Sequence, residues 1–341
     1  MIVIDPLLGR AGADAMVDLW HRFGSYGLYS NEGFDTAFAP TLAQRYDAAA
    51  NFVRTGGRFG RNDEPTSMLA ARTNYFRETY AYGDDVNAPG IEPFLHHDAL
   101  LDAARRLHGR DVVVPAIVYA NLLLPGQELA VHTDVPEFRG ANRKLVPQWL
   151  CVVMLHSGLF DAWRMPIATG IAYFGGGRGG ELAYYPDGAA GAPATYAPAH
   201  DTAVMLDTDT VFHGVDRVLG DERALADLRP GMRLVHDGDR RWSVRDTDAG
   251  RVVATYDTDE LRYSVSWKAY CFADDAERDA WATHADDLTL ETILARLVDD
   301  LVDRGRLSGA AERDGLADAE LGRLLIDEYV RFPAAADPSP S

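Results

Sequence analysis

Between residues 111 and 272 the chain breaks repeatedly into short β-prone runs, and this rhythm constrains the fold more than any other feature. Candidate strands fall at 112–124, 128–132, 149–155, 170–174, 181–185, 202–206, 211–218 and 261–272. The breaks carry turn chemistry: Pro125-Gly126-Gln127, a glycine-rich run over 175–180, and Asp187-Gly188. Glycine reaches backbone conformations that other residues resist, and proline cannot donate to a ladder. Many short strands at this spacing predict a sandwich or barrel. Three further runs at 232–236, 241–245 and 252–256, separated by Asp237-Gly238 and Asp248-Ala249-Gly250, predict a small meander inserted at about 230–257.

The outer quarters have a different texture. Residues 1–110 read as a mainly helical region packing on the core, with helices at 13–23 and 99–107. In the latter, Leu100, Leu101, Ala104 and Leu107 recur at helical spacing and Asp98 is the expected cap. The stretches 55–60 and 74–80, rich in glycine and aromatics, read as loops. Residues 273–332 return to helix, with Leu290, Ile293, Leu294, Leu297 and Leu301 on one stripe and Leu321, Leu324 and Leu325 on a second. The tail, 333–341, reads as disordered.

Charge and cysteine content exclude some functions. The formal net charge is -19, and no Lys/Arg block forms the basic patch that a nucleic-acid surface needs. No stretch approaches the roughly 20 apolar residues of a membrane span. Met1-Ile2-Val3-Ile4-Asp5 lacks the basic and long apolar regions of a signal peptide. The two cysteines, Cys151 and Cys271, both lie in apolar runs and read as buried reduced thiols. The expectation is a cytoplasmic protein with a small-molecule substrate and no nucleic-acid or membrane partner.

His132-Thr133-Asp134 ends a strand-like run. Residues i and i+2 of an extended chain point to one side, so an imidazole and a carboxylate can address one point. His213, on another strand-like run, is the candidate third ligand. Two histidines and one carboxylate on one face leave three coordination positions open, the facial triad of non-haem ferrous oxygenases. Arg262, Ser264 and Ser266 share one face of the last strand, and Tyr263, Val265 and Trp267 the other. A permanently charged, planar guanidinium at the start of a polar inner face suits a dicarboxylate.

Four segments resemble the 2-oxoglutarate/iron(II)-dependent dioxygenase superfamily, in particular its prolyl-hydroxylase-like branch. They are Pro125-Gly126-Gln127-Glu128 leading to His132-Thr133-Asp134; Gly179-Gly180-Glu181-Leu182 followed by Tyr184-Tyr185-Pro186; 203–206 leading to His213-Gly214-Val215; and Arg262-Tyr263-Ser264-Val265-Ser266-Trp267. They cover about residues 112–272, and nothing outside that span carries the likeness. The resemblance implies a double-stranded β-helix (jelly-roll, cupin-like) catalytic core over 111–272, mainly β with flanking helices. It implies Fe(II) held by His132, Asp134 and His213, with 2-oxoglutarate and O2 as co-substrates. The expected reaction is hydroxylation of an unactivated C–H bond of a small molecule, such as an amino acid or natural-product intermediate, with release of succinate and CO2. Related halogenases carry a small residue in place of the aspartate, so Asp134 favours hydroxylation; desaturation and cyclisation stay open. Arg262 would hold the distal carboxylate of 2-oxoglutarate, assisted by Ser264.

The sequence departs from the family in two places. The arginine usually lies about ten residues after the distal histidine, a spacing Arg223 satisfies and Arg262 does not. Leu123 stands where the family often has a tyrosine, and Asn121 is the nearest polar residue on that face. His156 is a candidate neighbour of the site. Arg72, Arg77, Arg139 and Arg143 are candidates for an acidic substrate, which residues 20–80 and the loop 135–147 would line. The competing readings are a cupin-type metal enzyme or binding module without 2-oxoglutarate, and a protein side-chain hydroxylase.

Overall fold

The computed structural model describes residues 1–29, 46–58, 60–61, 63–309, 315 and 318–334. Among them, an eleven-stranded sheet and a four-stranded sheet hold nearly all of the strands. The large sheet runs in the order Ile2–Ile4, Thr202–Leu206, Ile167–Phe174, Arg262–Phe272, Val112–Leu123, Phe76–Tyr82, Ser25–Leu28, Arg233–Gly238, Arg241–Asp246 and Arg251–Asp257, with Asp85–Val86 beside Phe76–Tyr82. The small sheet runs Ala194–Tyr196, Leu182–Tyr184, His213–Val215, Leu129–His132. Each neighbouring pair in both sheets is antiparallel. The meander extends the large sheet by pairing Arg233 with Gly27 and Val235 with Ser25.

Arg262–Phe272 lies at the centre, pairing with Val112–Leu123 on one side and Ile167–Phe174 on the other. Its alternation decides the two faces of the sheet. Tyr263, Val265 and Trp267 join the main apolar core, which also takes Trp20 from helix Gly9–Phe23 and Leu100 from helix Asp98–His108. Trp20 stacks between Trp242 and Tyr263 at centroid distances of 5.1 and 4.3 Å. Arg262, Ser264, Ser266 and Lys268 point the other way and line a cavity. The small sheet supplies Leu129, His132, Leu182, His213 and Val215 to the same cavity, which therefore lies between the two sheets.

Four expectations are corrected. Residues 149–155 are not a strand: Gln148–Ser157 is a helix that follows Pro147 and is ended by Gly158 in the left-handed region. A short continuous apolar run carries no period that separates strand from buried helix. This helix is buried on nearly every side, packed against Leu290–Asp303 and Asp318–Tyr329 in a second apolar core. Residues 76–80, expected in a loop, belong to strand Phe76–Tyr82, and Ile2–Ile4 and Ser25–Leu28 are strands as well. Asp98 is the first helical residue and His97 the N-cap, with no side-chain cap. The strand around the distal histidine is only His213–Val215. Neither Cys151 nor Cys271 is in a disulfide, and both are buried. The expected disordered tail lies, from residue 335 on, outside the described residues.

Candidate metal centre

His132 and His213 are direct cross-strand partners in the small sheet. Opposed residues of an antiparallel pair present side chains to the same face, about 5 Å apart. Their ring centroids stand 4.5 Å apart. Asp134 follows the end of its strand and is tethered by its backbone N–H donating to Thr208 O at 2.7 Å. Its Oδ1 approaches His132 Nε2 at 3.5 Å and His213 Nε2 at 4.0 Å. One donor atom from each residue lies within 4.8 Å of the other two.

The far side of each imidazole is engaged as well. His132 Nδ1 lies 2.6 Å from Ala130 O, and His213 Nδ1 lies 2.9 Å from Val211 O. A carbonyl can only accept, so both Nδ1 atoms carry the proton and both Nε2 lone pairs turn toward Asp134. Burial, and then the neighbouring His132, push His213 down to about 4, so it is neutral near pH 7. Burial raises the Asp134 carboxyl, but the Lys268 ammonium outweighs it and holds the group well below the ordinary carboxylate range. With both imidazoles neutral, the site presents two nitrogen lone pairs and one anionic oxygen. Cis ligands at bonds of about 2.1 Å stand roughly 3 Å apart, so contraction of about an ångström closes this set around one ion. The donor set fits a divalent transition metal with open positions.

Lys268 was missed in the sequence. Its Nζ donates to Asp134 Oδ2 at 2.6 Å, and the lysine is buried. The signal was present: Lys268 continues the alternation Arg262, Ser264, Ser266 by one more step.

Arg262 opens the same inner face. It is buried, donates through Nε to Gly180 O at 2.7 Å and through a terminal nitrogen to Ser264 Oγ at 3.0 Å, and lies against the Tyr173 ring. No carboxylate among the described residues comes within ion-pair distance of it. Burial pulls its pKa below the ordinary arginine value, against the pull of Tyr173 and Glu181. Gly180 explains the Gly-Gly segment: its φ is +68°, and a Cβ there would stand 2.4 Å from Arg262 Cδ. Arg223 is elsewhere, half-exposed over the Tyr256 ring and paired with Glu260. Asn121 lines the cavity, in register between Arg77 and Ser264.

The four candidate substrate arginines separate. Arg72 is buried against Glu64, Glu222 and Gly126 O, and Arg139 is clamped by Asp286 and Ala162 O, so both are consumed in structural contacts. Arg77 faces the cavity with its guanidinium 3.7 Å from the Tyr119 ring centroid and 5.2 Å from that of Tyr29. Arg143 lines the cavity and is exposed. His156 does not line it; it stacks on Phe212, next to His213.

No family model matches the chain, and no curated protein matches it. Structural neighbours are 2-oxoglutarate/iron(II) oxygenases. The chain is similar to viral collagen prolyl hydroxylase from Paramecium Bursaria Chlorella virus-1 with 10% identity, over 79% of this chain and 95% of that one, at a TM-score of 0.39. It is similar to the non-heme alpha ketoglutarate dependent carbocyclase SnoK with 8% identity, over 79% of each chain, at 0.42. HygX from Streptomyces hygroscopicus, solved with nickel, 2-oxoglutarate and hygromycin B, matches with 10% identity, over 79% and 82%, at 0.37. No described helix is long and apolar enough to cross a membrane.

Proposed function

We propose that this chain is an iron(II)- and 2-oxoglutarate-dependent oxygenase that hydroxylates an unactivated C–H bond of a small molecule. In this reading His132, Asp134 and His213 are the metal ligands, Arg262 and Ser264 hold the distal carboxylate of 2-oxoglutarate, and Asn121 contacts that co-substrate from the neighbouring strand. The two sheets that face each other across the cavity are the walls of a double-stranded β-helix, and residues 111–272 are its catalytic core. One observation carries the proposal. Three metal-ligand donors converge within 4.8 Å in a cavity whose inner face also presents a buried arginine with no carboxylate partner among the described residues.

The chain's own groups have defined tasks. The carbonyls of Ala130 and Val211 hold both imidazoles in the Nδ1–H tautomer, so that each Nε2 is ready to bind metal. Lys268 engages Asp134 Oδ2 and leaves Oδ1, the oxygen nearest both Nε2 atoms, for the metal. Arg262, fixed by Gly180 O and Ser264, presents a planar cation suited to a carboxylate. Iron(II) with 2-oxoglutarate and O2 supplies oxidative decarboxylation to succinate and CO2, coupled to oxidation of a C–H bond. The protein supplies position, charge and exclusion of water.

Anaerobic addition of iron(II) and 2-oxoglutarate to the metal-free chain tests this. The expected result is a weak visible charge-transfer band that needs both components and is lost in H213A. A chain that binds iron(II) without developing the band on 2-oxoglutarate addition favours a cupin-type metal protein instead.

A further inference from the structure

A second cavity, of about 600 Å³, adjoins the metal cavity, which is about 100 Å³. The two share Val135, Arg143 and Lys268 as wall residues. Val135 follows Asp134 directly, and Lys268 touches its carboxylate, so the outer chamber begins at the metal centre.

Its walls are mainly apolar, with a few polar groups among them. Tyr82, Ile117, Ile167, Tyr270 and Trp281 make them largely apolar and aromatic. The ring centroids of Tyr270 and Trp281 stand 5.3 Å apart. Ligand chambers of roughly 300–1,000 Å³ lined this way enclose one drug-sized molecule, oriented by a few polar groups. A cavity of about 100 Å³ holds a much smaller one. The pair therefore divides the work, with a small polar cavity for the co-substrate and a larger apolar one for the molecule to be oxidised.

The polar groups of the outer chamber are mostly taken. Glu137 accepts from Tyr270 Oη at 2.8 Å, Lys144 donates to Tyr82 Oη at 2.7 Å, and Lys268 is paired with Asp134. Arg143 has no hydrogen-bond or ion-pair partner among the described residues. It stands on the boundary common to both cavities, in a chain whose net charge is -19. A guanidinium with no such partner among the described residues, at this point of an acidic protein, is complementary to an anion.

We propose that the 600 Å³ chamber binds the oxidisable substrate, and that this substrate is a ring-bearing, mainly apolar small molecule with one anionic group paired to Arg143. The inference rests on the oxygenase reading for what happens to the bound molecule, and on the chamber alone for what binds. Tyr82, Tyr270 and Trp281 pack against the ring system. Arg143 then orients it, with its anionic end at the boundary and the adjoining carbon directed toward His132, Asp134 and His213.

Aromatic probes test it on the full chain loaded anaerobically with iron(II) and 2-oxoglutarate. Binding of 2-naphthoate, indole-3-acetate and the neutral 2-naphthalenemethanol is measured by titration calorimetry. At least one of the two carboxylates is expected to bind at one per chain, at least tenfold tighter than the alcohol. R143Q is expected to bring that carboxylate to the level of the alcohol. I117W, which fills the chamber, is expected to abolish binding of all three while leaving the iron/2-oxoglutarate band in place. Where I117W fails to fold, W281A replaces it and is expected to weaken the ring compounds at least tenfold. Retention of carboxylate affinity in R143Q, competition with 2-oxoglutarate, or failure of both carboxylates to bind overturns the proposal. Binding with the expected variant pattern, in a chain that shows no 2-oxoglutarate band, sinks the oxygenase reading and keeps the chamber.

Discussion

Lys268 Nζ lies 2.6 Å from Asp134 Oδ2, while Asp134 Oδ1 is the oxygen nearest both histidine Nε2 atoms. The two oxygens of one partly buried carboxylate therefore face different ways, one toward an ammonium and the other toward the metal position. Among the described residues, Lys268 is the lysine or arginine that pairs with this carboxylate in the metal-free chain. K268M removes that pairing, and breaking a buried pair from one side costs about 3–5 kcal/mol. The expected outcome is a metal-free variant with a clearly lowered melting temperature, and a larger gain on adding zinc(II) or iron(II) than the wild type shows. Melting curves with and without metal measure it. Equal losses in both conditions would mean that Lys268 serves packing and not the charge of Asp134.

Arg262 and Gly180 form a second coupled pair. A charge-assisted hydrogen bond contributes about 1.5–3 kcal/mol, so R262L is expected to raise the 2-oxoglutarate concentration for half-saturation by roughly 10- to 150-fold. G180A changes no charge. Its new Cβ would stand 2.4 Å from Arg262 Cδ, at a backbone φ of +68° that disfavours alanine. The arginine has to move, so G180A should raise the same half-saturation value in the same direction as R262L while iron affinity stays near the wild type. Titration of the visible band separates the two quantities. An unchanged 2-oxoglutarate requirement in both variants would remove Arg262 from the co-substrate site.

The parts legible in the sequence share one property: their signals are local and periodic. Arg262, Ser264 and Ser266 disclosed a polar inner face because strand alternation is strict, and His132 and Asp134 shared a face for the same reason. What stayed hidden depends on partners distant in the chain. Whether 149–155 is helix or strand is settled by the helices at Leu290–Asp303 and Asp318–Tyr329 that bury it. Residues 76–80 become a strand because Phe76, Arg77 and Glu78 find Leu122, Asn121 and Ala120 as partners. Choosing between Arg262 and Arg223 from spacing was not decisive, because the meander lengthens the connection between His213 and the last strand. Arg72 and Arg139 looked available only because Glu64, Glu222 and Asp286, which neutralise them, are far off in sequence or unremarkable there. Lys268 is the exception, since one further step of the same alternation reaches it.

Asp209 gives the last test, one of charge rather than ligation. Its side chain is fully buried, neither carboxyl oxygen has a hydrogen-bond partner among the described residues, and Arg164 approaches only to 3.9 Å. Burial pushes its pKa up to about 8; Lys268 and Arg164 oppose the rise, and Asp207 adds to it. The folded value lies above the ordinary unfolded one of about 3.9. Between these two values the folded chain holds a proton that the unfolded chain has released. Stability then falls as pH rises through this window, and the penalty is fully developed above about pH 8. D209N keeps the shape and removes the titration. Near pH 4 the variant and the wild type should be close in stability. The advantage of the variant should grow with pH to on the order of a few kcal/mol by pH 9. Urea unfolding of the metal-free chain at pH 5, 7 and 9 measures the difference. A gap that does not change with pH would mean that Asp209 is ionised in the fold across the whole range, with a partner strong enough to keep it so.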